Sequence, residues 1–140
     1  MNGLNLHHVG FAVKKIDDAR SRYVDLYGYE ICSDVIHDPL QTAFVQFLRL
    51  PGDSSYLELV APDGPGSKLT ASVAKGGALH HLCYATDDID KSFAELRAQE
   101  MFPLCEPVAA VAFPGRRIAW LLGSDRLPIE LVERGRPGEL

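Results

Sequence analysis

His8-Val9-Gly10-Phe11-Ala12-Val13 and His81-Leu82-Cys83-Tyr84-Ala85-Thr86 follow one pattern at a spacing of 73 residues. Each opens on a histidine and continues as an apolar, strand-prone run. Ile16-Asp17 then falls on Ile89-Asp90 at the same spacing. Leu57-Glu58-Leu59-Val60 matches Ile129-Glu130-Leu131-Val132 at a spacing of 72, so the halves differ there by one loop residue. The chain is an internal repeat. Each half starts with a strand carrying a His and finishes with a strand carrying a Glu.

The elements follow the same plan in both halves. Val9, Phe11 and Val13 predict a strand over 6–13. Ala19, Tyr23, Val24 and Leu26 lie on one helical face, which predicts a helix from Asp17 to about Tyr27. Asp17 and Asp18 suit its positive end, and Gly28 its stop. Strands follow at 29–36, 42–49 and 55–60. Ala61-Pro62-Asp63-Gly64-Pro65-Gly66 is rich in chain breakers and opens a connection over 61–78. Within it Ser67 is placed to cap a short helix that Gly76-Gly77 ends. The second half predicts a strand over 79–86 and a helix over 89–100, with Phe93, Ala94 and Leu96 inward. Strands at 102–108, 117–122 and 127–132 complete it. The polar tail from Arg134 to Leu140 is expected to fray. The fold class is α+β: paired βαβββ modules at about 5–60 and 79–133, within one domain over 1–140.

Composition narrows the function. The 140 residues are 46% hydrophobic and 24% charged, enough to bury a core without disulfide staples. A net charge of −5 gives no footprint for nucleic acid. Cys32, Cys83 and Cys105 are odd in number and lack CxxC spacing, which points to a reducing compartment. Residues 1–5 do not read as a signal peptide, and no apolar run approaches the roughly 20 residues that span a bilayer. The expectation is a cytoplasmic protein with neither nucleic-acid nor membrane partners.

Ligand chemistry coincides with the repeat. His and Glu both bind first-row divalent metals. His8, Glu58, His81 and Glu130 supply one of each per half, as a pseudo-twofold metal site requires. Alternation along a strand puts His8 with Gly10 and Ala12, and His81 with Cys83 and Ala85. Those faces are otherwise small and leave room for a ligand. His7 and His80 point the other way and are excluded. Any one of the four alone would read as an ordinary strand residue; their equivalent placement makes the case.

These residues resemble the vicinal oxygen chelate superfamily, the group of glyoxalases, bleomycin resistance proteins and dioxygenases. HHVGFAVKKIDDA from His7 and ALHHLCYATDDIDKSFAEL from Ala78 look like the openings of its two modules, and YLELVAPDG and LPIELVERG like its glutamate strands. The similarity runs from about Leu6 to Glu133. It implies an incompletely closed eight-stranded barrel, a homodimer, and one divalent metal ion (zinc, cobalt, nickel or manganese) on the positions matching His8, Glu58, His81 and Glu130. No other cofactor is implied.

Within the group the chain is most similar to methylmalonyl-CoA epimerases, through its inter-module segment and the Gly-rich lead into His80-His81. That resemblance implies a metal-dependent epimerase acting on a small-molecule substrate such as an acyl-CoA. The proton next to the thioester would be taken by Glu130, with Glu58 mainly a ligand. Arg116 or Arg117 is then available for CoA phosphates, although an exposed hairpin flank is the simpler role. One departure stands out. Such epimerases carry a second proton-transfer glutamate between the second and third strands, where this chain reads His37-Asp38-Pro39-Leu40-Gln41-Thr42. His37 and Asp38 are the candidates to replace it. The alternatives are a glyoxalase I-like lyase on a glutathione hemithioacetal, whose Asn-rich segment is missing here, and a non-catalytic antibiotic-binding protein, which usually lacks the ligands.

Overall fold

The computed structural model describes residues 3–140. The elements run β1 Asn5–Ala12, α1 Ile16–Tyr27, β2 Glu30–Ile31, β3 Ile36–Asp38, β4 Ala43–Arg49, β5 Tyr56–Pro62, α2 Thr70–Ala74, β6 Ala78–Thr86, α3 Ile89–Ala98, β7 Phe102–Ala109, β8 Arg117–Leu122 and β9 Pro128–Glu133. The class is α+β. The chain divides into two compact units: residues 8–80, and residues 81–140 with the described residues before His8. We call them the N-terminal and C-terminal units.

In the N-terminal unit the strand order is β2-β4-β5-β1, with β3 also on β4. β1 pairs parallel to β5, and β4 antiparallel to β5. In the C-terminal unit the order is β6-β9-β8-β7, with β6 parallel to β9. Neither sheet closes on itself. Nine strands rather than eight appear among the described residues, because the strand predicted over 29–36 is two pieces. Ser33 explains the break. Its hydroxyl takes the Phe47 amide at 3.0 Å, and its carbonyl takes the Gln46 side-chain amide at 2.9 Å. A side-chain bond here replaces a ladder bond.

Each helix covers the outer face of its own sheet. α1 packs Ile16 and Ala19 on Leu48, Leu57, Leu59 and Ala61, with Phe11 and Tyr23 beside them. α3 packs Ile89 and Phe93 on Ala119, Leu121 and Leu131, with Tyr84 and Leu96 beside them. At the repeat spacing Ile16 corresponds to Ile89, Leu48 to Leu121 and Leu59 to Leu131. Two inward assignments fail: Leu26 is 66% exposed, and Ala94 is exposed where Ser92 is buried. The hydroxyls of Thr86 at the end of β6 and Ser92 in α3 meet at 2.6 Å, which puts a polar contact under the helix's first turn.

The helix ends differ. α3 starts at Asp88, whose carboxylate accepts from the Lys91 amide. α1 starts at Lys15 with no side-chain cap; Asp17 and Asp18 lie in its first turn, and Asp17 pairs with Arg20. Gly28 ends α1 at φ 80° with its amide on Tyr23 and Val24 carbonyls. Ser67 is not the N-cap of α2, a place that Leu69 takes; its hydroxyl donates to the Thr42 carbonyl and ties the connection to the sheet. Gly77 is required twice over. Its φ is +72°, and a Cβ there would stand 2.3 Å from the Ala12 carbonyl oxygen.

The C-terminal tail forms a turn of its own. Glu139 accepts from the Arg136 amide at 2.9 Å and from its guanidinium at 3.1 Å. Those bonds hold the Glu139 carboxyl below its usual range, the Arg136 amide contributing most. Among the described residues, no helix is long and apolar enough to cross a membrane.

Candidate metal centre

In the N-terminal unit, β1 and β5 lie side by side with Gly10 opposite Glu58 and His8 opposite Tyr56. His8 and Glu58 are thus diagonal neighbours on one face. His8 Nε2 stands 3.4 Å from Glu58 Oε1, and their side chains are 0% and 2% exposed. In the C-terminal unit, Cys83 lies opposite Glu130 on β6 and β9. His81 Nε2 stands 3.4 Å from Glu130 Oε1, at 0% and 4% side-chain exposure. Each unit builds the same buried His–Glu pair.

The separation within each pair is informative. A nitrogen–oxygen distance of 3.4 Å is longer than an ordinary hydrogen bond. Two ligand atoms, each about 2.1 Å from a tetrahedral centre, lie about 3.4 Å apart. Buried carboxylates are costly without a compensating charge. Imidazole nitrogen and carboxylate oxygen also suit a first-row divalent ion. The residues present therefore fit a metal.

Each histidine leans on an aromatic ring that lies directly across from the glutamate. Phe47 on β4 faces Glu58, and its ring meets His8 edge-on with centroids 5.2 Å apart. Trp120 on β8 faces Glu130, and its ring meets His81 with centroids 4.8 Å apart. Both rings restrict the imidazole. A spacing of 73 links the two rings as it links the histidines. His7 and His80 are half-buried and point away from the pairs by alternation; His7 packs on Phe113.

Neither candidate for the second base is placed for that work. His37 pairs in register with Phe44, and Phe44 with Ala61. Ala61 belongs to the core under α1, so His37 lies on the face opposite Glu58. There its Nε2 bonds Asp63 at 2.9 Å. Asp38 lies on the Glu58 face, but opposite Ala43, four residues along β4 from Phe47 and so about 13 Å away along the strand. Its carboxylate accepts from the Leu40 amide and from the Gln41 side chain, which makes it a turn lock. The two arginines are also engaged. Arg117 pairs with Asp90 and Glu133, and the Asp90 bond contributes most to the rise in its pKa. Arg116 stacks on Phe113 and donates to the Glu133 and Leu140 carbonyls.

Comparison with known proteins agrees with this architecture. The model of the Glyoxalase/Bleomycin resistance protein/Dioxygenase superfamily matches residues 7–120. The chain belongs to this superfamily. Among members of known activity, the mouse mitochondrial methylmalonyl-CoA epimerase is 29% identical over 122 residues, spanning 86% of this chain and 66% of that protein. The superfamily fold is shared with solved structures. The Mycobacterium tuberculosis methylmalonyl-CoA epimerase superposes with a TM-score of 0.81 at 28% identity, covering 94% of this chain and 88% of that one. A variant of the Streptomyces coelicolor methylmalonyl-CoA epimerase, solved in complex with 2-nitronate-propionyl-CoA, gives a TM-score of 0.79 at 27% identity, covering 94% and 97%. By sequence and fold the chain is an epimerase-like member of its superfamily.

Proposed function

We propose that this protein is a metal-dependent epimerase that moves the proton on the carbon next to an acyl-CoA thioester, as on methylmalonyl-CoA. The observation that carries this reading is the pair of equivalent buried His–Glu couples in an epimerase-like fold. His8, Glu58, His81 and Glu130 would hold the divalent ion, and zinc, cobalt, nickel and manganese are all compatible with that donor set. When bound, that ion supplies Lewis acidity toward the substrate's oxygens and lowers the cost of enolate charge.

The protein's own groups do the rest. Glu130 removes the α-proton. With no glutamate between His37 and Thr42, Glu58 is the carboxylate that serves the opposite face and returns a proton there. Phe47 and Trp120 hold the imidazoles and keep water away from them.

The deciding experiment is proton exchange. Metal-loaded protein is incubated with methylmalonyl-CoA in deuterated water, and mass gain at the α-carbon is followed. Rapid gain that Glu130→Gln abolishes supports the reading and its base. No gain with folded, metallated protein sinks it and turns the search to other α-acidic carbonyl compounds.

A further inference from the structure

Arg49 and Tyr56 break the repeat beside the His8–Glu58 pair. Tyr56 lies directly opposite His8 on the neighbouring strand and two residues before Glu58, about 7 Å along β5. Alternation puts Arg49 on the same face as Phe47, and Phe47 faces Glu58. The guanidinium of Arg49 lies over the Tyr56 ring at 4.9 Å, and its Nη1 donates to the Tyr56 hydroxyl at 3.2 Å. In the C-terminal unit the same two places hold Leu122 and Pro128, which pair with each other and carry no charge.

Arg49 differs from four other arginines of the chain. Arg20, Arg117, Arg134 and Arg136 each pair with a carboxylate. Arg49 is half-buried, and its bonding is with a phenol and its ring. Glu30 opposes it in register on β2, and Asp53 borders the same cleft, yet neither forms an ion pair with it. A guanidinium has five N–H donors in a planar fork suited to an oxyanion. The phenol and ring fix its position, which reduces the entropy lost on binding.

Resting on the epimerase reading, we propose that Arg49, held by Tyr56, is a subsite for an anionic oxygen of the substrate. It sits beside the His8–Glu58 pair of the N-terminal unit. The acyl carboxylate and a CoA phosphate share the required chemistry. The short step from Tyr56 to His8 and Glu58 favours the carboxylate.

The test is calorimetric binding of three thioesters to metal-loaded wild type, Arg49→Gln, Arg49→Lys and Tyr56→Phe. Methylmalonyl-CoA carries both anions, methylmalonyl-pantetheine lacks the nucleotide phosphates, and propionyl-CoA lacks the acyl carboxylate. Arg49→Gln should weaken methylmalonyl-CoA about 10- to 100-fold, as expected for loss of charge-assisted bonds. Arg49→Lys should recover part of that, and Tyr56→Phe should lose only a few-fold. If the carboxylate is read, methylmalonyl-pantetheine suffers equally and propionyl-CoA is unaffected, which also shows that the variant is folded. If a phosphate is read, propionyl-CoA suffers and methylmalonyl-pantetheine does not. Unchanged affinity for all three in Arg49→Gln overturns the proposal. An equal loss for all three that Arg49→Lys fails to relieve overturns it too. Deuterium uptake by the wild type reports separately on the epimerase reading, so either can fail without the other.

Discussion

The two units are built alike at their buried His–Glu pairs and differ beside them. Both put a His on the first strand, a Glu on the parallel last strand, and an aromatic ring across from the Glu. Both cover the outer face with a helix anchored on equivalent Ile and Leu residues. One step along, the N-terminal unit has Arg49 and Tyr56 and the C-terminal unit Leu122 and Pro128. Repetition therefore supplies a buried His–Glu pair to each unit, and its local failure sets a charged group beside one of the two pairs.

Exchanging one glutamate at a time breaks this comparison most sharply. Glu130→Gln should lower α-proton exchange about 100- to 10,000-fold, the usual weight of a general base. Glu58→Gln should cost less of the first proton removal and more of the return to the opposite face. It would show as exchange that outruns epimerisation. Equal losses in both measurements for both variants would erase the division of roles.

The histidines should behave as equivalents. His8→Ala and His81→Ala are each expected to abolish stoichiometric metal, read by elemental analysis and by the lost thermal shift on adding zinc or cobalt. Full metal content in either variant would remove that histidine from the ligand set. The rings sharpen the contrast further. Phe47 is fully buried, so Phe47→Ala should destabilise by about 3–5 kcal/mol in urea unfolding. Trp120 is only half-buried, and Trp120→Ala should cost less. The smallest effect lies at the helix starts. Asp88→Ala removes the α3 cap and should cost about 1 kcal/mol. That is about 3 °C in thermal midpoint for a domain of this size. Lys15→Ser should stabilise α1 by a similar or smaller amount, because no side chain caps it now.

The legible parts of the molecule were those that a repeat and a period can carry. Strand alternation placed His8 and His81 on the buried face and His7 and His80 off it. Gly28 marked the end of α1 because only a left-handed residue closes that turn cheaply. Phe47 and Trp120 were within reach of the same spacing, but a buried aromatic on a strand reads as plain core until its cross-strand partner is known. The break at Ser33 was invisible, since it depends on the Phe47 amide fourteen residues later. The roles open to His37 and Asp38 depended on register. Sliding the β3–β4 pairing by one residue would exchange their faces.

The sequence by itself determined the two βαβββ modules, their class and the four ligand candidates, because periodicity and internal repetition are local properties of the chain. The tertiary structure alone decided which His stands beside which Glu, that Asp38 locks a turn, that Arg117 is spent on Asp90 and Glu133, and that Arg49 rests on Tyr56. Those facts rest on strand register and cross-strand distance, which link residues far apart in sequence.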